Sequence, residues 1–189
     1  MNTVIVLVIG IAVIAFFGVY VSWRAGRLDR LHARVEAARA ALDAALLRRI
    51  SVALELASSG LLDPATSLLL AGAAHDARTA GEARELRESD LTRALRAAFG
   101  QPEFRASLRG RPGADELLAE LEAAAHQVFL ARKFYNDAVA ATLSARRRWL
   151  VRLLRLAGGA ARPGFFEIDD SLVAAGADEQ GTDMPHLTG

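Results

Sequence analysis

The stretch LLAELEAAAHQVFLARKFYNDAVAATLSARRRW, residues 117–149, carries the longest regular pattern in the chain. Along it, one set of mostly apolar or small residues recurs at alternating steps of three and four without a skip. The set is Leu117, Leu121, Ala124, Val128, Ala131, Tyr135, Ala138, Thr142, Ala145 and Trp149. This spacing predicts one long helix with a single buried face. No strand-like alternation of useful length occurs elsewhere, so the sequence predicts an all-α fold.

A second stripe of the bundle or coiled-coil kind starts near the N-terminus and predicts one helix over 28–58. Its members are Leu28, Leu31, Val35, Ala38, Leu42, Ala45, Val52 and Leu56, and Arg49 interrupts it. Asp63 before Pro64 predicts the start of another helix, which we expect to weaken at Gly72 and Gly81. We therefore predict an antiparallel bundle of about four helices.

The third predicted helix, over 82–99, is expected to stop at Gly100 in a left-handed cap, with Pro102 preventing its continuation. The glycines and prolines of GQPEFRASLRGRPG, residues 100–113, predict a loop.

The segment VIVLVIGIAVIAFFGVYVSW, residues 4–23, contains no charged residue. A helix of this length spans roughly the 30 Å hydrocarbon layer of a bilayer. We predict a transmembrane anchor over 1–25, a helical bundle over 26–158 and a C-terminal segment over 159–189. The acidic, weakly hydrophobic composition after residue 170 predicts disorder there.

A cleaved signal peptide is the competing interpretation of the N-terminal segment. It requires a basic leader, a shorter apolar region and a cleavage site, whereas MNT carries no Lys or Arg. Tyr20 and Trp23 suit a membrane interface, and four arginines follow at 24, 27, 30 and 34. The positive-inside rule then predicts a single-pass protein of the cell (inner) membrane, with the N-terminus outside and the bundle in the cytoplasm.

The chain has no cysteine, which excludes disulfides and thiolate sites, and its net charge is +1. The histidines at 32, 75, 126 and 186 are scattered, with no paired Glu-x-x-His pattern for a metal in a bundle. Phosphate-binding glycine loops and nucleophile elbows are absent from the sequence. We therefore predict no cofactor, no metal and no catalytic residue.

The stretch ARKFYNDAV, residues 131–139, holds the only lysine of the chain. Lys133 and Asp137 are four residues apart and are expected to pair along the helix surface. Tyr135 lies on the buried stripe, so its hydroxyl needs a partner, and Asn136 is suited to a helix-crossing hydrogen bond. Because successive helical residues point about 100° apart, we interpret this group as a polar knot that fixes helix register rather than as a catalytic site.

Four stretches resemble the LemA family of bacterial membrane proteins: ARKFYNDAV, GFFEIDD at 164–170, PEFRAS at 102–107 and RVEAARAALDAALLRRI at 34–50. The residues that carry the most specific likeness are Lys133, Phe134, Tyr135, Asn136, Asp137, Val139, Phe165, Phe166 and Glu167. The chain departs from the family at Arg39, at SVALEL after the arginine pair, and at Thr142-Leu143. The resemblance implies a divergent member, an N-terminally anchored bundle, and no established enzymatic activity.

The stretch RRRWLVRLLRL, residues 146–156, is basic and amphipathic. It predicts either a bundle helix with a solvated arginine face or a helix that returns to the membrane. In the second case Arg148, Trp149, Arg152 and Arg155 are the candidate lipid contacts. Nucleic-acid binding is disfavoured because the net charge is near zero and no recognition motif accompanies the arginines.

These features predict a non-enzymatic scaffold or interaction module. Its expected partners are the lipid bilayer, an unidentified membrane or membrane-proximal protein and, as a further option, a second copy of itself. The alternative is a membrane-remodelling or envelope-stress factor that binds anionic lipid through the basic last helix. An enzyme is the remaining and less favoured class.

Overall fold

A computed structural model describes residues 2–100, 102–108, 110–147 and 163–169. Within these ranges the chain forms helices and no strand. The elements are α1 (Asn2–Ser58), α2 (Pro64–Thr79), a short 3₁₀ helix (Gly81–Ala83), α3 (Arg84–Phe99), α4 (Pro102–Leu108) and α5 (Ala114–Arg147). The predicted all-α class and the helical bundle with an N-terminal apolar helix are confirmed.

The first part of α1 is apolar and unburied. The 18 residues Thr3–Tyr20 form a helix that is long and apolar enough to cross a membrane, and none of them is buried in the molecule. Aliphatic side chains exposed on every side of a helix are unfavourable in water and favourable in lipid.

The chain divides into two compact units. The first unit comprises Met1–Arg39 and Tyr135–Phe165, and the second comprises Ala40–Phe134 and Phe166–Gly189. Helices α1 and α5 therefore contribute residues to both units. The domain boundaries predicted from the sequence, at 25 and 158, remain predictions.

The second unit contains the main hydrophobic core, to which all five helices contribute. Its buried members are Ile50, Val52, Ala53 and Leu56 of α1, Leu62 after it, Leu70, Ala74 and Ala77 of α2, Leu91, Leu95 and Phe99 of α3, Leu108 of α4, and Ala114, Leu121 and Ala124 of α5. These residues recur at helical spacing, so each helix buries one stripe and exposes the rest to solvent.

The stripe predicted on the last helix is confirmed over the described residues. Its members Leu121, Ala124, Val128, Tyr135, Ala138 and Thr142 are buried. The remaining described members, at 117, 131 and 145, are half-buried. Trp149 lies outside the described residues.

The loop predicted over 100–113 is wrong in its first half, where α4 forms. Pro102 suits the first helical position, where its missing N–H is not needed. Phe104 and Leu108 are four residues apart and share a face; Leu108 is fully buried, and the Phe104 ring lies 5.9 Å from that of Phe99. Core contacts at this spacing outweigh the glycine and proline content, and positive-φ glycines appear only afterwards, at Gly110 and Gly113.

The prediction of a left-handed cap at Gly100 is wrong. Gly100 ends α3 with φ −73° rather than in a left-handed cap, and its N–H donates to the Arg96 carbonyl at 2.7 Å. Glycine is needed there for close approach, because a Cβ would lie 2.5 Å from that carbonyl oxygen. Gly72 does not interrupt α2, which continues to Thr79, whereas Gly81 follows its end with φ +51°.

The predicted start of α2 is confirmed. The Asp63 carboxylate accepts hydrogen bonds from the backbone N–H groups of Ala65 and Thr66, at 3.0 and 3.1 Å, and Pro64 occupies the first helical position. Hydrogen bonds from Thr66 lower the pKa of Asp63, because they favour its charged form.

Candidate functional site: the α5 motif and the closing segment

The helical periodicity of α5 divides the motif residues into a buried side and an exposed side. Tyr135 and Val139 are buried, and Asn136 is half-buried. Lys133 and Asp137 are exposed, and Phe134 is 61% exposed. The motif therefore has an inner half that packs and an outer half that faces solvent.

The charged residues of the outer half do not form the predicted pair. Among the residues that the structure describes, neither Lys133 nor Asp137 takes part in an ion pair. This matches the small stabilisation expected of exposed pairs one helical turn apart, a few tenths of a kcal/mol.

Within the first unit, Tyr135 links the two most specific parts of the motif. Its hydroxyl donates a hydrogen bond to the backbone carbonyl of Gly164 at 2.9 Å. The sequence predicts that a buried tyrosine needs a partner. The structure identifies that partner as the chain 29 residues later, in the stretch that begins GFFE.

In the second unit, the end of this stretch is held on α3. We call residues 163–169 the closing segment. The N–H of Glu167 donates to Glu85 Oε1 at 3.3 Å, and the N–H of Asp169 donates to Ser89 Oγ at 3.1 Å. The Asp169 carboxylate also accepts from Arg96 Nη2 at 2.8 Å. Part of the GFFEIDD stretch therefore contacts α3 of the same chain.

Other parts of the closing segment remain open to solvent. Phe165 is 50% exposed and Glu167 is exposed, whereas Phe166 is half-buried. The motif residues thus include two exposed aromatic side chains, Phe134 in the second unit and Phe165 in the first.

The core of the second unit also contains a buried ion pair that was not predicted from the sequence. Arg49 of α1 is 1% exposed and Glu88 of α3 is 0% exposed. Arg49 Nη2 donates to Glu88 Oε2 at 2.7 Å and to the Glu88 carbonyl at 3.2 Å. Arg49 Nη1 donates to Thr92 Oγ1 at 3.0 Å, and the Thr92 hydroxyl donates to the Glu88 carbonyl at 3.1 Å.

This ion pair is incompletely satisfied. Glu88 Oε1 and Arg49 Nε have no hydrogen-bond partner in the described part of the chain. Arg84 Nε lies 4.0 Å from Glu88 Oε1, and Arg84 also pairs with Asp43 at 3.0 Å. Burial raises the pKa of Glu88 above its usual value, because the loss of hydration outweighs the opposing effect of Arg49.

A sequence signal for this pair exists. Leu42, Ala45, Arg49, Val52 and Leu56 continue one spacing of three and four, so Arg49 lies on the apolar stripe rather than interrupting it. Glu88 likewise lies on a buried face, three residues before the buried Leu91 of α3. An arginine and a glutamate on the buried faces of two helices each need an opposite charge, which predicts that they meet.

The other features considered in the sequence are not part of the contacts described above. No group of three or more His, Cys, Asp or Glu residues able to hold a metal occurs among the described residues. His126 is exposed, with its ring stacked 6.3 Å from that of Phe129. The candidate lipid contacts Arg148, Trp149, Arg152 and Arg155, and the segment predicted to be disordered after 170, lie outside the described residues.

The fold and these contacts define an all-α protein with one N-terminal helix that could span a membrane. Comparisons of the chain with protein-family models, with curated proteins and with solved structures find no match. The LemA resemblance therefore rests on the motifs of this sequence.

Proposed function

We propose that this chain is a divergent, membrane-anchored member of the LemA family. It acts as a non-enzymatic interaction module at the bacterial cell membrane. Its N-terminal helix spans the membrane with the N-terminus outside, and the helical bundle faces the cytoplasm. The exposed apolar helix Thr3–Tyr20 supports the anchor, and the Tyr135–Gly164 hydrogen bond supports treating the two motif stretches as one structural feature.

One observation carries the choice of an interaction module: the exposed Phe134 between Lys133 and Asp137. A phenylalanine in the middle of a well-formed helix contributes little to the fold when the residue is 61% exposed. Aromatic anchors surrounded by polar residues are typical of protein interfaces. The proposed partner accordingly has an apolar pocket with charged groups at its rim.

The enzyme alternative assigns the opposite roles to the same residues. Catalysis would use Lys133 or Asp137 as the acid or base, with Phe134 dispensable. Binding uses Phe134 as the anchor, and the charges at its rim contribute little to affinity. Phe134→Ser is therefore expected to abolish complementation of a deletion strain, whereas Lys133→Ala retains it. The reverse result would favour an enzyme.

The partner contact is tested by site-specific photo-cross-linking of the full-length chain in cells, with p-benzoylphenylalanine at position 134. The matched control carries the same group at Leu68, an apolar residue of α2 that is 76% exposed. We expect discrete adducts at 134 and none of the same mass at 68. Equal adducts at both positions, or none at 134, would contradict the proposal.

A further inference from the structure

Helix α3 makes contacts through two different sets of residues. One face is buried in the core of the second unit and consists of Glu88, Leu91, Thr92, Leu95 and Phe99. The other face contacts the closing segment through Glu85, Ser89 and Arg96, which are exposed or half-buried. The contacts with the closing segment therefore involve other residues of α3 than those buried in the core.

The spacing of the hydrogen bonds matches that expected of an extended peptide along a helix. The amides of residues 167 and 169 meet Glu85 and Ser89, which are four residues apart. Two residues of extended chain advance about 6.6 Å, and four residues of α-helix advance about 6.0 Å. Alternate amides of the peptide thus match successive turns of α3, and both chains run in the same direction.

Ser89 is held in position for this role. Its hydroxyl donates to the Glu85 carbonyl at 2.8 Å, which leaves its lone pairs to accept the Asp169 N–H. The contacts made by the backbone N–H groups do not depend on which side chains the peptide carries. The Arg96 guanidinium, by contrast, selects a carboxylate at the position of Asp169. The chemistry that this face recognises is an extended peptide with an acidic residue two positions after its first docked amide.

We propose that this α3 face is a peptide-binding site whose second occupant is the closing segment of another copy of the chain. An identical segment makes identical contacts, so exchange between copies costs no contact energy and depends on effective concentration. The side chains of the ion pair, Arg96 and Asp169, are 45% and 36% exposed, so the site is accessible from solvent.

Fifteen residues, 148–162, separate Arg147 from Pro163 in the sequence. This inference does not depend on membership of the LemA family or on the partner contact at Phe134.

The test uses disulfide trapping in the full-length chain, whose sequence has no cysteine. The double variant Ser89→Cys/Asp169→Cys is expected to close within one chain on mild oxidation, because the Asp169 N–H lies 3.1 Å from Ser89 Oγ. Differently tagged single variants, S89C and D169C, are then co-expressed in one membrane. The matched control pairs D169C with A97C, an exposed position elsewhere on α3.

We expect the S89C and D169C chains to form a mixed disulfide at least several-fold more abundant than the A97C and D169C product. Its yield should rise with expression level, because exchange depends on the density of copies. Glu85→Ala in the S89C chain should reduce it. Internal closure of the double variant with no excess of mixed disulfide would overturn the exchange between copies. The site itself is tested by Arg96→Ala in the otherwise unchanged chain, which should speed hydrogen exchange of the amides at 167 and 169; unchanged exchange would overturn the site.

Discussion

The hydroxyl of Tyr135 and the backbone carbonyl of Gly164 are joined by a 2.9 Å hydrogen bond. Tyr135 lies on the buried stripe of α5, and Gly164 opens the GFFE stretch of the closing segment. The α5 motif ARKFYNDAV thus contacts the GFFE stretch, the other specific motif of the chain. This contact gives the conspicuous tyrosine a structural role within the first unit.

Replacing Tyr135 by Phe should release the start of the closing segment while the α5 stripe remains packed. The loss of one partly buried hydrogen bond is expected to cost about 1 kcal/mol of unfolding free energy. Hydrogen exchange in detergent should show faster exchange of the amides at 165–169. The control, Thr142→Val, removes a buried hydroxyl that bonds within α5 to the Ala138 carbonyl. Equal exchange of these amides in both variants would contradict the role of Tyr135.

Arg48 and Arg49 are neighbours with very different expected contributions. Arg49→Met leaves Glu88 buried without its partner, which should destabilise the fold by roughly 3–5 kcal/mol. Arg48→Met breaks only the exposed pair with Glu120, and should cost about 0–1 kcal/mol. Urea unfolding of both variants in detergent gives the comparison.

A compensating variant separates the burial of charge from packing. In Arg49→Met/Glu88→Met no charge is left unpaired, so most of the stability lost in Arg49→Met should return. A double variant as unstable as the single one would show that the ion pair itself, rather than the avoidance of a lone charge, is required.

The raised pKa of Glu88 predicts an unusual pH dependence. Because the folded-state pKa lies above the unfolded one, the folded protein binds more protons between the two values. The contribution of Glu88 to stability is therefore fully present below the usual glutamate pKa and is lost as the pH rises through the raised value. Unfolding free energies measured from pH 4 to pH 8 should fall more steeply in the wild-type chain than in Glu88→Gln. Parallel curves would contradict the raised pKa.

Two glycine-to-alanine changes should have opposite effects on stability. Gly72 lies inside α2, and a methyl group added there would point into open space, so Gly72→Ala should stabilise by roughly 0.5–1 kcal/mol. At Gly100 the added Cβ would lie 2.5 Å from the Arg96 carbonyl oxygen, so Gly100→Ala should destabilise by forcing the end of α3 to shift. Thermal melts of the two variants should move in opposite directions, and a shared direction would be inconsistent with the backbone at Gly100.

Periodicity predicted the parts of the fold that depend on one helix alone. The α5 stripe, the extent of α1 to Ser58 and the Asp63 cap each follow from local spacing or local hydrogen bonds. The same spacing placed Tyr135 in the interior. It could not identify Gly164 as the partner, because that contact depends on how distant parts of the chain pack.

The wrong predictions arose where tertiary contacts outweigh local preference. From the sequence alone, Arg49 interrupts the apolar stripe of α1, because the opposite charge of Glu88 reaches it only when α1 and α3 pack. The loop prediction over 100–113 followed its glycines and prolines, yet burial of Leu108 favours a helix. For the closing segment, composition alone gave no indication that Asp169 lies against Arg96.

The N-terminal helix is proposed to anchor the chain in a membrane, with the bundle on the cytoplasmic side. The proposed role as an interaction module at the membrane depends on that location, whereas the exchange of closing segments does not. The cysteine-free background permits a direct test with single cysteines at Asn2 and at Ser58, on either side of Thr3–Tyr20. Intact cells are treated with a membrane-impermeant thiol reagent, and each variant is labelled again after permeabilisation. We expect labelling at Asn2 in intact cells and protection at Ser58 until the membrane is opened. Labelling of Ser58 in intact cells would show that the bundle lies outside the cytoplasm.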